Sequence, residues 1–240
     1  VQDIYIYDEI PRIDFETSID WKESQMLLKA EFPVDIHADK ASYDIQFGNV
    51  ERSTVRNTSW DTAQFEVCAH KWADLSEDGY GVSIMNDCKY GCDIKEGVMR
   101  LTLLKSGIYP DREADKCIHK FKYSLYPHKG GFRQADTVKE AYDFNVPLRA
   151  LVSEGHKGIL PYKMSFISID KKNVVLETVK KAEDSDDIVI RMYECFNRRT
   201  DVNVKIFKRP IEVFECDLLE NNENKMMISD SSFSFQIKPY

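Results

Sequence analysis

No stretch of this 240-residue chain approaches the ~20 consecutive apolar residues that span a bilayer. No transmembrane helix is predicted, and the chain reads as soluble with no membrane partner. Basic charge is in short supply: 33 basic side chains face 41 acidic ones, a net of −8. Such a surface repels phosphate backbones and argues against nucleic acid as a partner. The sequence has no Gly-rich phosphate loop, no His-Glu-x-x-His helix and no nucleophile elbow. Its five histidines, His37, His70, His119, His128 and His156, are scattered, and no two share a metal-ligand spacing. Cys88 and Cys92 stand close together, yet no second pair or nearby His completes four ligands. The six cysteines are spread through the chain and read as free thiols. Carboxylates abound, but sequence alone cannot bring two of them to the ~5–5.5 Å of a retaining glycosidase. On its residues alone, the chain shows no catalytic machinery, metal site or cofactor site.

A signal-peptide pattern is also absent, and Val1 stands where an initiator Met would be. At the other end Ile237-Lys238-Pro239-Tyr240 follows directly on an alternating run. Both ends read as cuts within a longer parent. Asn57-Thr58-Ser59 fits a glycosylation acceptor, which matters only in a secreted protein.

What the chain does have is period-two alternation. Hydrophobic residues make up 42% and charged residues 31%, the balance of a globular protein with a substantial core. Met26, Leu28, Ala30, Phe32, Val34 and Ile36 share one face, with Gln25, Lys29, Glu31 and Asp35 on the other. The pattern recurs at Tyr43-Ile45-Phe47, Phe65-Val67-Ala69, Met99-Leu101-Leu103 and Phe121-Tyr123-Leu125. It returns at Phe166-Ser168, Ile188-Ile190-Met192, Val202-Val204-Ile206, Ile211-Val213 and Phe233-Phe235-Ile237. Short strands between Gly, Asp, Asn and Ser turns predict an all-β fold of antiparallel sandwiches. One short helix is predicted near 137–145, where Thr137 and Glu140 have capping-box spacing and Val138, Ala141 and Tyr142 share a face. The polar, glycine-containing loop 153–158 marks a boundary between a large sandwich (1–155) and a smaller one (156–240).

Three segments have the composition of a ligand-holding surface. Asn86, Asp87, Lys89 and Tyr90, closed by Gly91, offer donors, acceptors and a ring suited to vicinal hydroxyls. The same composition also suits a plain hairpin turn. In the predicted strand 64–72, Gln64, Glu66, Cys68, His70 and Trp72 share a face, so Trp72 with His70 could stack on a sugar ring. That face equally suits an interface between sheets. Lys105 and Tyr109, in the run 105–112 that leaves a strand, could line a cleft or form an exposed connection. The acidic run 183–187 reads as a solvated turn, lacking the ligand alternation of an EF-hand.

Several blocks together resemble the C-terminal part of family 38 glycoside hydrolases, the zinc-dependent α-mannosidases. They include Pro11-Arg12-Ile13-Asp14-Phe15, Leu27-Leu28-Lys29-Ala30-Glu31-Phe32-Pro33-Val34 and Asn57-Thr58-Ser59-Trp60-Asp61. Asn86-Asp87-Cys88-Lys89-Tyr90-Gly91, Ser124-Leu125-Tyr126-Pro127-His128 and Phe233-Ser234-Phe235-Gln236-Ile237 continue the series in order. The resemblance is to the bacterial and cytosolic-type branch, which implies a cytoplasmic location. It implies a large supersandwich-like domain followed by a small C-terminal sandwich. It places zinc, the Asp nucleophile and the acid/base carboxylate in an N-terminal barrel whose motifs do not occur here. The implied partners are that barrel, mannose-containing glycans and, as an option, further copies of the same chain. The Asn86–Gly91 loop, and next the loop from Lys105, would reach the edge of the mannose pocket. Val55, Cys92 and Gly107 depart from the family pattern, and Gly107 would loosen the second loop. Two alternatives remain open: a stand-alone mannan-binding module stacking on Trp60 or Trp72, and a purely structural β domain.

Overall fold

The structure is a computed structural model and describes residues 1–155 and 157–240; His156, within the expected boundary loop, lies outside the described residues. The chain divides into two compact units, Val1–Leu148 and Arg149–Tyr240. The first runs β1 (Gln2–Ile6), β2 (Ile13–Asp20), β3 (Leu27–Pro33), β4 (Lys40–Ile45), β5 (Gly48–Ser53), α1 (Ser59–Ala63) and β6 (Val67–Cys68). It continues with β7 (Trp72–Glu77), β8 (Tyr80–Asn86), β9 (Gly91–Lys95), β10 (Val98–Lys105), β11 (Ile118–His128) and α2 (Thr137–Asn145). The all-β expectation holds, with antiparallel pairing throughout the first unit.

Seven strands form one sheet in the order β1-β2-β11-β8-β7-β4-β5, and four form a second in the order β3-β10-β9-β6. Alternation decides which face each residue takes. Ala41, Tyr43, Ala73, Leu75, Val82, Ile84, Phe121 and Tyr123 of the large sheet meet Cys92, Ile94, Met99, Leu101 and Leu103 of the small one in a single core. Phe15 and Tyr123 stack at 4.9 Å and 11°, with Phe32 tilted against both. The outer face of the small sheet is charged, as its sequence predicts. There Lys29 bonds Asp93 at 2.6 Å, and Arg100 bridges Asp93 at 3.1 Å and Glu31 at 2.6 Å. The β9–β10 hairpin turns on Glu96 and Gly97, both at positive φ, a two-residue geometry that suits glycine.

The outer face of the large sheet is dry where α2 lies along β7 and β8, although Lys40, Glu51 and Lys122 elsewhere on it stay exposed, and here the pattern reads differently from the structure. In that covered part Trp72, Asp74, Ser83, Met85, Ser124, Tyr126 and His128 are all buried. Helix α2 runs alongside β7 and β8, with Val138 and Ala141 buried. The expected capping box at Thr137 and Glu140 does not form. Asp136 is the N-cap, in the left-handed region and without a side-chain cap bond. Thr137 instead places its hydroxyl 3.1 Å from Ser83 Oγ, and Glu140 pairs with Arg12 at 3.4 Å. A reciprocal capping box does appear at Thr58 and Asp61, opening the unpredicted helix α1.

The second unit contains β12 (Ile167–Ile169), β13 (Val174–Lys181), β14 (Ile188–Glu194), β15 (Thr200–Ile206), β16 (Phe214–Cys216), β17 (Asn222–Lys225), β18 (Ile228–Ser229) and β19 (Ser232–Ile237). One sheet has the order β12-β15-β19-β18, and β13-β14 and β16-β17 form separate ladders. Val174, Val202, Val204 and Phe233 centre its core, with Met192 and Phe235 packed against them. Ile211–Val213, predicted as strand, precedes β16 without joining a ladder.

Beside that core sits a carboxylate, Glu194, only 1% exposed. Its Oε1 accepts from Asn173 Nδ2 at 2.7 Å and Phe196 N at 2.8 Å, and its Oε2 accepts from Arg198 N at 2.9 Å. Glu194→Gln keeps the shape but turns an amide donor toward the Arg198 N–H. A loss of about 2 kcal/mol is expected, from one buried donor left facing another. Urea denaturation of the variant measures it directly; a cost within experimental error would show that the loop does not depend on this carboxylate.

Candidate functional site

The chain pairing sets where the candidate loops lie. β8 ends and β9 begins at the Asn86–Gly91 loop. β10 runs antiparallel to β9 with Leu101 opposite Cys92, so its end at Lys105 extends past that loop. β11 runs antiparallel to β8 with Tyr123 opposite Asn86, so residues 118–122 also extend past it. Trp72 pairs with Met85, which brings the start of β7 and the preceding His70 to the same end. The register therefore collects His70, Asn86–Tyr90 and Lys105 at one end of the sandwich, with Tyr109 in the loop that leaves β10 there.

Asn86 organises this end. It is 1% exposed; its Nδ2 donates to His70 O at 2.8 Å and its Oδ1 accepts Lys89 N–H at 3.0 Å. Its own carbonyl accepts from Asn145 Nδ2 at 3.1 Å, tying the last turn of α2 to the loop. Tyr90 O accepts from Ala69 N at 2.8 Å, and the Tyr90 and His70 rings stand 5.3 Å apart. Lys89 Nζ lies 4.7 Å over the Phe121 ring. Gly91 does not serve as a positive-φ turn residue: a Cβ there would fall 2.6 Å from Glu66 Oε1 and 3.1 Å from Thr102 Cβ. Asn86 is thus a buried support, not an exposed ligand contact.

Asp87 is different. Its backbone N–H donates to Lys122 O at 3.2 Å, while its Oδ1 is enclosed without a hydrogen-bond partner among the described residues. An enclosed carboxylate oxygen in that state seeks a donor. Two neighbours feel its charge. Burial first, then a hydrogen bond from the thiol to the Asp87 carboxylate and the charge of Asp87, push the exposed Cys88 thiol up to about 11. The Lys122 ammonium is raised, first by its hydrogen bond to Glu16 and further by the field of Asp87.

The predicted strand 64–72 is a correction. Gln64 is the C-cap of α1, Val67–Cys68 belong to the small sheet, and Trp72 begins β7 in the large one. The chain crosses between sheets at residues 69–71, where His70 N donates to Asp44 O and Lys71 N to Asp44 Oδ2. Asp44 is buried, and its carboxyl is raised by that burial, with the Lys71 bonds opposing. Alternation therefore breaks, and Trp72 does not share a face with His70. Trp72 is 1% exposed, its ring 4.9 Å from Phe132, and offers no surface to a sugar. Trp60, on α1, is 79% exposed. Lys105 is exposed and Tyr109 stands 91% exposed in a loop whose start is held by Gln25 N donating to Ser106 O at 2.7 Å.

Sequence reading missed one polar cluster. Asp74, Ser83, His128 and Thr137 meet under α2, each at most 8% exposed. His128 Nε2 is 2.8 Å from Asp74 Oδ2 and 3.1 Å from Ser83 Oγ, and Ser83 Oγ donates to Asp74 Oδ2 at 2.7 Å. His128 Nδ1 faces Gly130 O at 3.0 Å. In an acyl-transfer triad the acid would bind Nδ1 and the serine would be open to substrate. Here the hydroxyl is spent on the carboxylate and the set is sealed. It pins α2 to β7, β8 and β11.

Among the described residues, no three His, Cys, Asp or Glu side chains converge as metal ligands. Two family models match the sequence: the glycosyl hydrolases family 38 C-terminal domain over residues 1–113, and the family 38 C-terminal β-sandwich domain over residues 173–240. The chain belongs to the C-terminal region of glycoside hydrolase family 38. Alpha-mannosidase 2C1 of Homo sapiens is 38% identical over 244 residues, matching all of this chain and 23% of the relative. Alpha-mannosidase G of Dictyostelium discoideum is 39% identical over 249 residues, matching all of this chain and 22% of the relative. The crystal structure of an alpha-mannosidase from Enterococcus faecalis V583 superposes with a TM-score of 0.82 at 17% identity, covering 98% of this chain and 28% of that one. That likeness shows the fold. The chain thus spans about a quarter of the length of these family 38 proteins and corresponds to part of a larger enzyme.

Proposed function

We propose that this chain is the non-catalytic β-sandwich part of a retaining, zinc-dependent α-mannosidase that hydrolyses terminal α-mannosidic bonds. In this reading it supports an N-terminal catalytic barrel and lends the Asn86–Gly91 loop to the rim of the mannose pocket. The observation that carries it is Asp87, whose Oδ1 has no donor among the described residues, at an end where loops converge. A sugar hydroxyl or a donor from the barrel would satisfy that oxygen. His70, Lys89 and Tyr90 stand beside it, and Lys105 with Tyr109 forms a second loop at the same end. In this reading the zinc that the family implies belongs with the barrel. A cytoplasmic location is supported by the exposed free thiols of Cys68, Cys88 and Cys117, which persist best in a reducing compartment.

The test uses the enzyme of which this chain forms a part. Asp87→Ala is expected to lower kcat/KM for an aryl α-mannoside about 100-fold while leaving the melting temperature within about 2 °C of the parent. An unchanged kcat/KM would remove Asp87 from the pocket. A fall in kcat/KM matched by a large drop in melting temperature would make its role structural.

A further inference from the structure

We propose that the pocket between β5, α1 and β9 binds a compact oxyanion of the phosphate class. The pocket is lined by Tyr43, Arg52, Arg56, Gln64, Asp93 and Lys95, among others. β9 leads away from the Asn86–Gly91 loop and ends here at Lys95, so the pocket is separate from the candidate loop cluster. Its volume of about 20 Å³ admits a group little larger than one or two waters, and no hexose ring.

The lining carries three basic side chains, Arg52, Arg56 and Lys95, against two carboxylates, Asp61 and Asp93. Arg52 stacks 4.7 Å from the Tyr43 ring and donates to Cys68 O at 3.3 Å. Arg56 donates to Phe65 O at 3.4 Å. Each guanidinium has five N–H donors and each gives one to a carbonyl, so most remain for a ligand. Among the described residues neither is ion-paired with a carboxylate. The two lining carboxylates are already engaged. Asp93 is bonded to Lys29 and Arg100, and Asp61 accepts from the Thr58 N–H and hydroxyl. Lys95 adds an ammonium, shared with Glu96 at 3.2 Å. Two guanidiniums that, among the described residues, have no carboxylate partner line this small polar cavity and match the planar, multi-donor recognition of phosphoryl oxygens.

The experiment titrates inorganic phosphate into the 240-residue chain at constant ionic strength. Trp60, exposed and adjacent to the lining residue Asp61, is a fluorescence reporter, and calorimetry runs alongside. Saturation at around a millimolar is expected, weakened about tenfold or more in Arg56→Gln and in Arg52→Gln. Lys22→Gln, an exposed charge away from the lining, should leave binding unchanged. Arg56 lies on an exposed loop, so its variant keeps the test valid if loss of the Arg52 stack disturbs folding. A hexose 6-phosphate that competes identifies the phosphoryl end of a larger ligand as the occupant. Binding of inorganic phosphate alone identifies the free ion. No saturation up to roughly 50 mM, or equal weakening in Lys22→Gln, overturns the proposal. Neither outcome bears on the role of Asp87.

Discussion

Trp72→Ala is expected to destabilise the first unit by about 4 kcal/mol. The indole is the largest fully buried side chain there, set between the β7–β8 register at Met85 and the ring of Phe132. Its removal forfeits burial and leaves a cavity under the segment that leads into α2, the combination that makes large aromatic truncations cost 3–5 kcal/mol. The Trp72 Nε1 has no hydrogen-bond partner among the described residues, so no buried polar bond offsets or adds to that figure. Trp72→Phe keeps most of the packing and should cost less than half as much. Urea denaturation followed by circular dichroism separates the two. If Trp72→Ala proved as stable as the parent yet lost affinity for mannose oligosaccharides, the buried ring would be the wrong picture and a sugar-stacking one the right picture.

The second large effect belongs to Asn86→Ala. Two bonds disappear at once, and the His70 carbonyl and Lys89 N–H are left without their partner in a partly buried site. Each stranded group costs about 1–3 kcal/mol, so a loss of about 4 kcal/mol in all is expected. The consequence reaches further than stability. The Asn86 side chain joins the 69–71 crossover to the Asn86–Gly91 loop, so its removal should loosen that loop, while the backbone bond from Asn145 to the residue 86 carbonyl is kept. In the full enzyme kcat/KM should fall together with stability, unlike Asp87→Ala, which should spare stability. Asn86→Asp restores the acceptor for Lys89 N–H but sets a carboxylate oxygen against the His70 carbonyl, and should recover only part of the loss.

These two residues also show what alternation reveals and what it hides. Leu28, Ala30, Phe32, Met99, Leu101 and Leu103 lie on strands with one wet face, so their period of two reports the core directly. The large sheet is covered on its second face where α2 lies along β7 and β8, and there period two fails as a guide to exposure. Ser83, His128 and Asp74 look like outward polar residues in their strands, yet they are sealed beneath α2. Nothing local signals this, because the covering helix comes from residues 137–145 and the strands it covers begin at residue 72. The 64–72 segment misled for a related reason. Its apolar and polar residues alternate across a crossover between two sheets, so face assignments that hold at Val67 do not carry through to Trp72. Chemistry at the loop end was more legible. Asn86, Asp87, Lys89 and Tyr90 stood out by residue type, but only the fold separates Asn86, which is spent on support, from Asp87, which retains an open oxygen.

The central claim is that this chain shapes the edge of a mannose pocket without holding the groups that cleave the bond. Its most direct test is the hydrolysis of an aryl α-mannoside by the purified 240-residue chain, with and without added zinc. The account predicts no rate above the buffer blank in either condition. Turnover that scales with the concentration of the chain would contradict it.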